Sequence, residues 1–105
     1  MNNLAHKVKE QDINRYVLGT TPRLKIVPLT TEGIFFVPTL SRLSVKDPVG
    51  TIYTYSGADL TTASGYMYYI FHPALIGWYQ YESWVKDGNG LEDVATHGFE
   101  VYDLV

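Results

Sequence analysis

Cysteine is absent from this 105-residue chain, so neither a disulfide framework nor a thiolate zinc site is open to it. Basic residues are few: eight Lys and Arg stand against eleven Asp and Glu, for a net charge of −3. Affinity for a phosphate backbone comes from clustered Lys and Arg that release counterions. These eight are scattered, and no nucleic-acid partner is expected. No apolar run approaches the roughly 18 residues that cross a bilayer, which argues against a membrane partner. The opening MNNLAHKVKEQD lacks the continuous apolar centre of a secretory signal, and the expectation is a soluble intracellular product. Helical periodicity is missing after Gln11, repeats and linkers are missing throughout, and the length is that of one domain.

What the chain does have is aromatics, eight of them between Gly65 and Val85 in GYMYYIFHPALIGWYQYESWV. They fall into two strand-like runs joined by a short Pro/Gly connection. Period-2 alternation puts Tyr66, Tyr68 and Ile70 on one face of the first run, with Met67, Tyr69 and Phe71 on the other. In the second run Tyr79, Tyr81, Ser83 and Val85 oppose Trp78, Gln80, Glu82 and Trp84. Both faces are apolar, whereas a small soluble sheet needs only one buried face.

Further strands are predicted at Ile13–Leu18, Arg23–Leu29 and Leu40–Lys46, the last returning through the turn Asp47-Pro48-Val49-Gly50 into Thr51–Tyr55. Pro28 donates no ladder bond, so its end of the strand should lie on an edge or leave the sheet. Ile34–Val37 reads equally as a strand or as a loop capping the core. Lys86–Gly90 makes a hairpin into a last strand over Leu91–Tyr102, where Gly98 marks a bulge or a close backbone approach. The sum is an all-β fold: a single immunoglobulin-like β-sandwich of about 6–8 short antiparallel strands over residues 12–105. Residues 1–11 form an N-terminal arm or short helix, with Leu4 and Val8 spaced for one helical face.

Residues 39–101 resemble a family of small immunoglobulin-like proteins of tailed bacteriophages, encoded among head and head–tail joining genes. Leu43 to Tyr55 is similar to that family's TVKDPDGTVTTY hairpin; Gly65-Tyr66, Pro73 and Gly77-Trp78-Tyr79-Gln80-Tyr81 are similar to its GxY…P…GxWxYxW pattern; and Gly98-Phe99-Glu100-Val101 is similar to its closing segment. The family has Trp two residues after the strand-opening Gly and again four further on. Here Tyr79 and Ser83 hold those positions, so either a bulge restores the register or Trp78 and Trp84 point outward. The resemblance implies a structural virion protein at the head–tail junction, an adaptor, stopper or connector-ring subunit assembled in the host cytoplasm, with portal, tail or capsid proteins as partners. Alternatives are a capsid decoration or cement protein, or a carbohydrate- or cell-surface-binding module using exposed aromatics.

Catalysis is not expected, and neither is a cofactor or a metal. His6, His72 and His97 lack close spacing, and Asp87-Gly88-Asn89-Gly90 departs from a calcium loop at Leu91 and Gly98. Trp78 and Trp84, six residues apart on one strand, are about 20 Å apart, long for adjacent sugar contacts. Met67, Tyr69, Phe71, Trp78 and Trp84, if all on an outer face, exceed the apolar patch a soluble monomer tolerates. With Leu4 and Val8 on the arm, they are the expected protein interface of a homo-oligomeric ring or multi-copy assembly.

Overall fold

The computed structural model describes residues 4–7, 15–89 and 92–104. Strands β1 (Leu4–Lys7), β3 (Arg23–Thr30), β7 (Tyr66–Ile70) and β6 (Thr61–Ala63) form one sheet in the order β1-β3-β7-β6. Strands β2 (Arg15–Val17), β9 (Glu92–Tyr102), β8 (Gly77–Lys86), β4 (Leu40–Lys46) and β5 (Ile52–Ser56) form the other in the order β2-β9-β8-β4-β5. This is the expected all-β, immunoglobulin-like sandwich, with nine strands among the described residues where six to eight antiparallel ones were expected. β2 pairs in parallel with β9, and the other strand pairs are antiparallel. The predicted arm or short helix contains a strand instead: residues 4–7 extend the first sheet by pairing with Val27–Thr30. Val8 lies outside the described residues.

The core is filled from both inner faces. Leu24 and Ile26 of β3 and Met67 of β7 meet Leu43, Val45, Tyr79, Tyr81, Val85, Phe99 and Val101 of the opposing sheet. Phe99 lies at its centre, stacked on Tyr79 with ring centroids 5.0 Å apart and meeting Tyr16, Phe71 and Tyr81 at edge or tilted angles. Pro28 sits where β3 changes neighbours. Residues 23–26 pair with β7 and residues 27–30 with β1, so the missing N–H falls beyond the β7 ladder. Ile34–Val37 is the capping loop, holding one isolated bridge from Phe35 to Leu29, with Phe35 and Phe36 against the core.

The faces of β7 are the reverse of the predicted use. Met67 and Phe71 are 4% and 5% exposed, and Tyr69 packs half-buried against the core; these three do not form an outer docking face. The cause is register. Met67 pairs with Ile26 and Tyr69 with Leu24, and paired residues share a face. Tyr68 and Ile70 pair with Lys25 and Arg23 on the outer face. There the cations lie over tyrosine rings, Arg23 at 4.5 Å from the Tyr68 centroid and Lys25 at 4.8 Å from that of Tyr66.

Candidate functional site

β8 runs in unbroken register with both neighbours, so Tyr79, Tyr81, Ser83 and Val85 face inward and are buried. Trp78, Gln80, Glu82 and Trp84 face outward. Gly98 marks a close approach rather than a bulge: it pairs squarely with Gln80, and a Cβ there would collide with the Trp78 indole. The ring therefore rests on bare backbone, held while still 51% exposed.

Trp78 walls one end of an open trough of about 470 Å³ on the outer face of the five-stranded sheet. Its lining includes Ser44 and Lys46 of β4, Ile52 of β5, Gln80 and Glu82 of β8 and Thr96, His97 and Gly98 of β9. Lys46 pairs with Gln80, and Ser44 with Glu82, so Lys46 and Glu82 are diagonal neighbours. Neither takes part in an ion pair among the described residues. The Ser44 hydroxyl meets that of Thr54 at 3.4 Å. The β4–β5 turn adjoins the trough: Asp47 Oδ1 accepts from the N–H groups of Val49 and Thr51, Gly50 takes φ 92°, and Pro48 packs where a Cβ on Gly77 would stand. That contact brings exposed Val49 and Ile76 to the same end as Ile52 and Trp78.

Of the residues expected at an interface, Trp78 alone stands in this trough. Trp84 is on the same face but engaged. The Arg42 guanidinium lies 5.0 Å from its ring centroid, and its indole N–H donates to Glu92 Oε1 at 3.1 Å. The two tryptophans are therefore not equally free for stacking. Leu4 lies in β1 opposite Thr30. Lys46, Ile52 and Glu82 escaped sequence reasoning because three separate strands bring them together. Among the described residues no group of three or more His, Cys, Asp or Glu is placed to hold a metal ion.

No protein-family model matches the chain, and no curated protein matches it. A solved structure does: CopC from Methylosinus trichosporium OB3b, with TM-score 0.62 and 16% identity, over 88% of this chain and 87% of that one. At this identity the likeness is one of fold. The phage resemblance is corrected here: no phage family is among the matches, and the solved structure that does match is CopC. The head–tail junction, the capsid-surface and sugar-binding alternatives and the virion location are withdrawn with it. The motif residues explain why they misled. Asp47 and Gly50 build a turn, Gly77 admits Pro48, Gly98 admits Trp78, and Tyr79 and Tyr81 fill the core. These are requirements of a sandwich, whatever its task.

Burial pushes the Tyr16, Tyr79 and Tyr81 phenols up, and burial followed by the bond to Tyr69 pushes Tyr55 up to about 12. A raised folded-state pKa means that the unfolded chain ionises first. The stability contribution is complete below pH 10, the ordinary tyrosine value, and is lost as pH rises from there through about 12. Urea midpoints measured at stepwise alkaline pH should stay level up to about pH 10 and then fall steeply, with tyrosinate absorbance rising at the unfolding step.

Proposed function

We propose that this protein is a non-catalytic docking module that self-associates through the Trp78 trough, a second copy of the chain being its partner. The observation that carries this is the seating of Trp78 on Gly98. A large aromatic is held rigid and half exposed at the mouth of a preformed trough, so it loses little freedom on binding. Charge selects the occupant. A two-fold interface is self-complementary, and the neighbouring Lys46 and Glu82 would each meet the opposite charge on a copy rotated by 180°. Exposed Val49, Ile52 and Ile76 extend the contact at the same end.

Sedimentation velocity across a concentration series should show a monomer–dimer equilibrium. Trp78→Ala is expected to weaken it by about 2 kcal/mol, roughly thirtyfold. Lys46→Glu and Glu82→Lys should each weaken it singly, and the double exchange should restore it. Gly98→Ala, which displaces the indole, should mimic Trp78→Ala with little loss of fold. A protein that stays monomeric at every concentration, or a double exchange without rescue, would remove the basis for the proposal.

A further inference from the structure

A second cavity, of about 160 Å³, lies between the sheets where β5 faces β7 and the 71–76 connection. Tyr53, Tyr55, Tyr69, Phe71 and Tyr79 line it together with Asp47, and His72, Ala74 and Leu75 complete the wall. We infer that this is an aromatic cage for a small organic ammonium head group, such as a trimethylammonium.

Size, charge and hydrogen-bonding capacity each narrow the ligand. With a water occupying about 30 Å³, the space admits roughly five waters, well below the roughly 300–1,000 Å³ of pockets that enclose whole drug-sized ligands. It suits a head group whose remainder stays outside. Asp47 is only 7% exposed and brings negative charge to a wall otherwise built largely of aromatic residues, side chains that attract a desolvated cation. Its Oδ1 is committed to the Val49 and Thr51 N–H groups at 3.0 and 2.8 Å. Oδ2 takes one long bond, 3.3 Å, from the Tyr53 hydroxyl, and so retains accepting capacity toward a cation.

The other phenols have their polar ends occupied. Tyr79 donates to Leu75 O at 2.8 Å and accepts from Leu75 N–H at 3.1 Å, and Tyr55 bonds to Tyr69. A neutral polar ligand would find few partners here, whereas a methylated ammonium needs few. The rings are fixed in advance by one another: Tyr55 stacks on Tyr69 at 3.9 Å, and Phe71 meets Tyr53 and Tyr79 edge-on at 6.2 and 5.7 Å. The site is separate from the Trp78 trough, and its occupancy does not depend on self-association.

The test is an NMR titration of the full chain with choline chloride and with tetramethylammonium chloride, at constant ionic strength and about pH 8, where an ordinary imidazole is neutral. Saturable shifts are expected at the Asp47, Tyr53 and Phe71 amides. The neutral isostere 3,3-dimethylbutan-1-ol should bind at least about tenfold more weakly, as should choline to Asp47→Asn, which keeps the Oδ1 acceptor while removing the charge. Tyr53→Leu, at an exposed ring, should weaken choline a few-fold and serves as the test variant if Asp47→Asn does not fold. A trimethyllysine peptide binding more tightly than choline would assign the head group to a protein tail; the reverse order would assign it to a free small molecule. Shifts that never saturate, equal binding of the neutral isostere, or unchanged affinity in the folded variants would overturn the inference.

Discussion

Phe99→Ala is expected to lower the unfolding free energy by about 3–5 kcal/mol. Phe99 is 1% exposed, and its ring touches four other aromatics drawn from β2, β8 and the end of β7. The loss therefore combines the transfer of a phenyl group with a cavity that neighbours from both sheets border. Those neighbours cannot close it, because Tyr79 is tied to Leu75 by two hydrogen bonds and Tyr81 is buried within a continuous ladder. Against a typical total of about 5–15 kcal/mol, the variant should melt about 15 °C or more below the parent by calorimetry. Trp78→Ala, on the same sheet but outside, should shift stability by only about 1 kcal/mol. Similar losses for the two would contradict the division of inner and outer faces.

A paired substitution on β7 tests the register more severely. Met67→Asp places a carboxylate opposite Ile26 in the apolar core. It should cost about 4 kcal/mol or more and leave much of the chain unfolded at ambient temperature. Tyr68→Asp, one residue along, faces outward opposite Lys25 and close to Arg23. The ring contact is lost there, but a charge pair replaces it, and the net change should stay within about 1 kcal/mol. Urea denaturation of both variants decides the matter; the reverse order would mean that Tyr66, Tyr68 and Ile70 form the core side.

That comparison also marks where sequence stopped being informative. Alternation along β7 separates its residues into two sets correctly, but both sets are apolar, and nothing local says which one faces inward. The decision belongs to β3, whose outward Arg23 and Lys25 can leave the core only on the side that Tyr66 and Tyr68 share. On β8 the polar Gln80 and Glu82 settle the same question within the strand, and there the outward placement of Trp78 and Trp84 is legible. The Asp47–Gly50 turn was likewise readable from local chemistry, whereas Gly98 was readable only as a bulge or a close approach, and the packing of Trp78 decides between them. The trough was not. Lys46, Ile52, Glu82 and Thr96 meet because β5, β4, β8 and β9 lie side by side, an order that residue spacing does not encode. The virion expectation fails for a different reason: its motif residues serve turns and packing and do not mark a task.

The parallel pairing of β2 with β9 sets a timetable for synthesis. Arg15 and its ion-pair partner Glu100 are 85 positions apart. At about 5–20 residues per second, a ribosome makes the second strand roughly 4–17 s after the first. The β4–β5 hairpin can close early, because its partners are near neighbours in the chain. Residues 15–17 have nothing to join until 100–102 emerge. During translation they form an unclaimed β-segment exposed to chaperones and to other nascent chains. It is thus the arrival of β9 that ends this exposure and gives the five-stranded sheet its β2 edge.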